Sequence, residues 1–194
     1  MARTQGSRAD ITGPLIRQQA LRLFARHGYA AVSMRKIAEA VGVQVGALYA
    51  YTADKQALLA DLLTAHMEDL LATWQDQPDA PALLRLERMV RFHIAYSLDH
   101  SDAVFLSYME LRNLTPENHL KISVLRDRYE AALESVLRAG QAEGVMRIAD
   151  TRLTTMALIA MLTGVTNWYR AGGRLDRQAV GDLYWGLARG TVGA

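Results

Sequence analysis

The stretch SMRKIAEAVGVQVGALYAYTADK, residues 33–55, spells two short helices joined by a tight turn, then a run into a longer helix. Ser33 suits an N-cap, where its hydroxyl accepts a free backbone N–H. Met34, Ile37, Ala38 and Val41 recur at helical spacing and make one apolar face. Gly42 follows where a left-handed residue must end the helix, a conformation that glycine takes without a Cβ penalty. Val43, Ala47 and Leu48 resume an apolar face, so a second helix packs on the first. It offers Gln44, Val45, Gly46, Tyr49 and Tyr51 outward, small, polar or aromatic groups with no carboxylate among them. A helix-turn-helix of this kind suits the DNA major groove, which accepts one helix and rejects negative charge.

Upstream, residues 13–27 (GPLIRQQALRLFARH) carry Ile16, Ala20, Leu23 and Phe24 on one stripe, with Pro14 in the first turn and Gly28 as the stop. This predicts a third helix and a compact three-helix head with Phe24 and Tyr29 as wedges. Residues 1–10 have no apolar periodicity and read as a flexible arm, from which Arg3 and Arg8 can reach a phosphate. Charge separates head from remainder. Residues 1–55 hold eight basic residues against three acidic ones, whereas the rest holds fourteen against seventeen, although the whole chain is only +2. A positive field over the helix-turn-helix is the expected footprint of a polyanion partner, and on charge alone it fits a solvated basic face equally well.

The 194 residues suffice for a real core, with a normal balance of apolar and charged side chains. Cysteine is absent, which removes disulfides and thiolate chemistry and fits a reducing cytoplasm. No apolar run approaches the roughly 20 residues of a membrane span, and no apolar signal core precedes the head.

The segment ALRLFARHGYAAVSMRKIAEAVGVQVGALYAYTADKQALL resembles the N-terminal domain of the TetR family of bacterial transcriptional regulators. The likeness rests on Ala20, Phe24, Gly28, Tyr29, Ser33, Ile37, Ala38, Gly42, Val43, Gly46, Leu48, Tyr49 and Lys55 at the family's spacing, over roughly residues 14–63. It implies that Ser33, Tyr49 and Lys55 hold phosphates and that Gln44, Val45 and Gly46 face bases, with Met34 or Arg35 close by. Phosphate contacts position such a head, while base contacts specify the sequence. Two positions depart from the pattern. Thr52 stands where Phe is usual, so the apolar plug toward the fourth helix is weakened or replaced by Tyr51. Gln44 stands where a small capping residue is common, and its amide can read a base edge.

Beyond the head the chain reads as helix after helix. The expected helices cover about 53–74, 82–99, 102–112 (capped by Ser101 or Asp102), 117–142, 151–170 and 177–189, separated by DQPDAP (76–81) and by Gly172-Gly173. The fold class is therefore all-α, about nine helices: a DNA-binding head over residues 1–55 and a ligand-binding and dimerisation body over residues 56–194. The eighth helix is apolar almost all round and the ninth adds Leu183, Tyr184, Trp185 and Leu187, which marks the last two helices as the surface of a homodimer whose two heads would read a pseudo-palindromic double-stranded operator.

Helices five to eight should enclose a pocket. Its candidate lining is Phe92, His93, Tyr96, Phe105, Tyr108 and Met109, with Arg112, Met156, Asn167, Trp168 and Arg170. The segment NWYRAGGRL (167–175) is similar to an element of TetR-like regulators that sense acyl-CoA thioesters. That resemblance implies Trp168 stacked on adenine, Arg170 and Arg174 on phosphates, and a small hydrophobic or acyl-CoA-type effector.

Phosphate-loop, HExxH and GxSxG patterns are absent. The five histidines include one pair, His93 and His100, that could share a helix face, and no ligand set surrounds them, so neither a metal site nor a cofactor is expected. A helical enzyme would need a convergent acid–base or nucleophile set, and none is legible. A protein-interaction module would not need the basic head. The sequence reads as a ligand-responsive repressor, cytoplasmic and not membrane-bound.

Overall fold

A computed structural model of the chain describes residues 6–194, with side chains from Ile11 onward. Arg3 lies outside the described residues, as does the side chain of Arg8. Among the described residues, ten α-helices run in the order α1 (Gly6–His27), α2 (Met34–Val41), α3 (Val45–Leu48), α4 (Lys55–Thr73), α5 (Ala82–Asp99), α6 (Ser101–Met109), α7 (Pro116–Ala142), α8 (Thr151–Thr163), α9 (Val165–Trp168) and α10 (Arg177–Thr191), with a 3-10 turn at Leu111–Asn113.

The head is α1 to α3 packed on the start of α4. Phe24, Ile16, Ile37 and Leu48 are fully enclosed there, each contributing about 1.5–3 kcal/mol of apolar burial. Phe24 and Tyr29 meet with ring centroids 5.3 Å apart. The caps are local: the Lys36 N–H donates to Ser33 Oγ at 3.2 Å, and Gly42 takes φ +78°. Helix α1 starts at Gly6 rather than Gly13, so residues 6–10, expected in the flexible arm, are helical; the helix runs through Pro14 and forgoes only the hydrogen bond that proline cannot donate. Thr52 is buried, and its hydroxyl donates to the Asp54 carbonyl at 3.0 Å. Tyr51 is half-buried beside Gly13. Between them remains a cavity of about 40 Å³, the space of the missing plug.

In the body, α5 is the central helix, packed by α7, α8 and α10, while α4 lies along α6 and α7. Asp54, Thr115, Asp150 and Asp176 cap α4, α7, α8 and α10 through their side chains. One start differs from expectation, and another is capped from a distance. Helix α6 begins after His100 with no side-chain cap from Ser101 or Asp102, because its first residues follow α5 almost without a break. Helix α5 follows Pro81, and its Ala82 N–H is taken by the Glu143 carboxylate at 3.0 Å, from the far end of α7. The long helix expected through Arg170 breaks at Gly164. There the Thr166 hydroxyl occupies the Thr163 carbonyl (3.0 Å), and the Asn167 N–H turns to Gly164 instead (3.1 Å). Gly164 therefore marks a kink, and a Cβ there would lie 3.2 Å from the Met161 carbonyl of its own helix.

A Cβ at Gly42 would meet nothing within 4 Å, so only the left-handed backbone resists substitution. Gly42→Ala should cost about 1–2 kcal/mol, a drop of roughly 3–6 °C in thermal midpoint for a chain of this size. Gly46→Ala, helical and equally open, should cause no loss in the same melt.

Candidate DNA interface and effector cavity

The outward face of the head collects most of the residues read as DNA contacts. Ser33, Arg35, Gln44, Gly46 and Tyr49 are exposed, Met34, Val45 and Tyr51 only partly so. Tyr49 shows 53 % of its surface, so it is no core residue. Gln44 begins α3 without capping it, which leaves its amide free to face outward. Arg35 makes only a loose 3.7 Å pair with Glu39, both of them highly exposed, a contact worth little and easily exchanged for a phosphate.

Lys55 departs from expectation. Its ammonium turns inward and donates to the carbonyls of Tyr29 (3.0 Å) and Val32 (2.9 Å), and it lies 4.1 Å from the Tyr29 ring centroid. The loop between α1 and α2 leaves those carbonyls without helical partners, and a single ammonium serves both. The same tyrosine is held from the body. Its N–H donates to Glu110 Oε1 at 3.1 Å, and Glu110 itself is buried and accepts from Asn113 Nδ2. Gln56 completes the junction: its amide donates to the Asn113 carbonyl (2.6 Å) and accepts from the Thr115 N–H (3.2 Å). Spacing alone could not reveal this latch, because its partners come from four segments up to 81 residues apart.

Inside the body, a cavity of about 40 Å³ lies among α4, α5, α6, α7 and α8. Of the expected lining it holds His93, Tyr96 and Tyr108; it adds His66, Met67 and Leu70 from α4, and Arg126, Tyr129 and Glu130 from α7. The pocket expected among helices five to eight therefore also takes in α4. Helical periodicity did place His66, Met67 and Leu70 within one turn of each other. His93 is fully engaged: Nδ1 lies 2.9 Å from the Tyr129 hydroxyl and Nε2 3.1 Å from Thr163 Oγ1. The Tyr96 hydroxyl donates to Asp69 at 2.8 Å. Burial lowers the pKa of His93 to about 4, with His66 adding to the shift, and burial likewise holds His66 at about 4, ahead of the effect of His100.

The remaining candidates lie elsewhere. Phe92 fills the space between Trp74 and Tyr96, at centroid distances of 5.3 and 5.7 Å. Phe105, Met109 and Asn167 border a separate shallow depression at the Gly164 kink, shared with Tyr108. Arg112 is exposed on the 3-10 turn and Met156 points outward from α8. Trp168 stacks parallel to Tyr184 and donates to its hydroxyl at 3.1 Å, while Arg170 bonds the neighbouring Tyr169 carbonyl. Trp168, Arg170 and Arg174 border a depression with Gly173 and Leu175, and Trp168 and Arg174 also border an open groove against α10, both apart from the cavity. Leu153 and Met156 of α8 and Leu183 and Leu187 of α10 are each more than half exposed. Among the described residues, no helix is long and apolar enough to cross a membrane, and no group of three or more His, Asp or Glu could hold a metal ion.

Comparison with known proteins fits this geometry. Residues 16–62 match the family described as bacterial regulatory proteins, tetR family, and residues 79–192 match the tetracyclin repressor-like C-terminal domain. The chain is 29 % identical over 199 residues to the HTH-type transcriptional repressor KstR2 of Mycobacterium tuberculosis, covering 99 % of this chain and 98 % of that one. Among solved structures, a tetR-family regulatory protein from Rhodococcus RHA1 superposes with a TM-score of 0.89 at 26 % identity, over 94 % of this chain and 97 % of the other. AibR in complex with isovaleryl coenzyme A and operator DNA superposes with a TM-score of 0.83 at 25 % identity, over 91 % and 97 %.

Two measurements check the site. Lys55→Met, which removes two charge-assisted hydrogen bonds, should cost about 2–4 kcal/mol, read as a lower thermal midpoint; a phosphate role alone would leave the melt unchanged. The buried histidines set an acid limit. Their folded pKa values lie below the ordinary 6.5, so the unfolded chain binds the extra protons, and stability is full above about pH 6.5 and falls as pH drops toward 4. Between pH 7 and pH 5 each imidazole should remove about 2 kcal/mol, and His93→Gln should flatten the pH dependence of the melt.

Proposed function

Because the chain belongs to the TetR family of bacterial regulatory proteins and is a DNA-binding transcriptional repressor rather than an enzyme, we propose that it is released from its operator by a small hydrophobic or acyl-CoA-type effector bound inside the body. Residues 1–55 read the operator and residues 56–194 bind the effector and dimerise. Ser33 and Tyr49 meet phosphates through their hydroxyls, and Gln44, Val45 and Gly46 face base edges, with Arg35 beside them. Two copies meet through α8 and α10, where the exposed Leu153, Met156, Leu183 and Leu187 would be covered, and the paired heads read a pseudo-palindrome.

One observation carries the effector reading. Helices α4 and α6 form part of the cavity wall, and their head-proximal ends carry Lys55, Gln56 and Glu110, the residues that grip the head. At about 40 Å³ the cavity holds little more than a water or two, far below the roughly 300–1,000 Å³ of a small-molecule site. An effector can enter only by spreading α4 and α6, and that displacement pulls on the latch. To turn a bound population into a released one, from 1:99 to 99:1, it must bind the spread state about 10⁴-fold more tightly. The AibR complex, which holds isovaleryl coenzyme A together with operator DNA, supports a search that starts with acyl-CoAs.

The test is fluorescence anisotropy on duplex DNA from upstream of the chain's own gene, titrated with salt and then with isovaleryl-CoA and longer acyl-CoAs. Affinity should fall steeply with salt and at least one acyl-CoA should release the duplex at micromolar levels; release by none rejects the acyl-CoA class. Tyr49→Phe should weaken binding about tenfold with the salt slope unchanged, since no charge is lost. Leu183→Glu with Leu187→Glu should give a monomer by sedimentation; an unchanged sedimentation coefficient would remove α10 from the interface.

A further inference from the structure

The cavity's polar groups fall into two sets. His93, Tyr96 and Tyr129 are bonded to protein partners, and Ser107 donates to the Val104 carbonyl at 3.0 Å. His66 and Arg126 are not so placed. The His66 side chain is only 8 % exposed, and its Nδ1 has no hydrogen-bond partner among the described residues. A buried polar atom left this way is a standing cost to the fold, and its imidazole lines the cavity beside Met67, Leu70, Val104 and Ile159. Burial keeps the imidazole neutral, with His100 and Arg126 acting in the same direction and Asp69 opposing them. A neutral imidazole offers one donor and one acceptor, so it can pair with a hydroxyl or carbonyl oxygen without needing a charge on the ligand.

Arg126 stands at the rim. Its guanidinium lies 5.6 Å from the Tyr108 ring centroid and makes one long contact, 3.5 Å, with the Ser107 carbonyl. Among the described residues no carboxylate lies within ion-pair distance of it, although Glu130 lines the same cavity. A half-buried guanidinium without a carboxylate partner, resting on an aromatic face, is suited to an acidic group of a ligand.

We propose that the effector is an anionic amphiphile, with an acidic group held by Arg126 and an apolar body bearing a hydroxyl or carbonyl oxygen that meets His66. This rests on the effector reading above and narrows it. The acidic group can be a free carboxylate or the phosphates of a coenzyme A thioester, which share the chemistry Arg126 recognises.

The probes are decanol, decanoate, 3-hydroxydecanoate and 10-hydroxydecanoate, with the coenzyme A thioesters of the three acids, titrated calorimetrically into the full-length protein alongside the operator assay. At least one hydroxylated anion should bind tenfold or more tighter than its unsubstituted counterpart. His66→Leu should abolish that preference. Arg126→Gln should weaken the anionic probes tenfold more than decanol. If free acids show the pattern, the acidic group is a carboxylate; if only thioesters do, it is phosphate, and either supports the proposal. A readout without ligand comes from the melt: His66→Leu removes an unsatisfied polar atom and should raise the thermal midpoint by about 2–6 °C, where a histidine needed for packing would lower it. A preference that survives His66→Leu, or a lowered midpoint in that variant, overturns the proposal. So does failure of every probe to bind a protein that still binds its operator, which leaves the repressor reading standing. Failure to bind the operator at all removes that reading and this one together.

Discussion

The ammonium of Lys55, closed over the carbonyls of Tyr29 and Val32, is the constraint on which the head's position depends. A loop that leaves a helix must find partners for carbonyls the helix no longer serves. Here the partner comes from the first residue of α4, while Glu110, just past α6, takes the N–H of the same tyrosine. One residue of the head is thus held by two helices of the body, one at its donor and one at its acceptor. A movement of either helix relative to the other cannot leave both bonds intact.

Those two helices also form part of the cavity wall, so the grip on the head and the space proposed for an effector share their mechanical parts. Such an arrangement favours a tight, nearly filled interior. A large preformed hole would let a ligand enter without moving anything, and a ligand with equal affinity for both arrangements shifts nothing. The small volume, with its engaged His93 and unengaged His66, fits a body that holds the head firmly when empty and accepts strain when occupied.

What the sequence could show was whatever is local. Ser33, Asp150 and Asp176 cap their helices through residues three positions away, and Gly42 ends α2 with the left-handed turn that its position demanded. The head's core of Phe24, Ile37 and Leu48 followed from helical spacing alone. What the sequence could not show was long-range pairing. Glu143 caps a helix 61 residues before it. Lys55 occupies a position where a phosphate contact and an internal staple use the same residue type, and only the fold distinguishes them. Aromatic and methionine side chains on α5 to α8 scatter among cavity, core and surface. The stripe that fills a wall reads the same as the stripe that fills a core, so Phe92 and Met109 were indistinguishable from Tyr96 until packed. The break at Gly164 lies where the Thr166 hydroxyl bonds the Thr163 carbonyl and the Asn167 N–H bonds Gly164.

Helix α3 has only four residues, and its anchoring and its outward positions hardly overlap: Leu48 is wholly enclosed, whereas Gly46 and Ala47, with Gln44 and Ala50 on either side of the helix, touch solvent. The consequence concerns descent more than mechanism. Positions that carry no packing can be replaced one at a time with little penalty to the folded state, so a duplicated copy of the gene could acquire a new address on the chromosome through a handful of codon changes. Its cavity and latch would be inherited unaltered, and an old chemical signal would then report to a new set of genes.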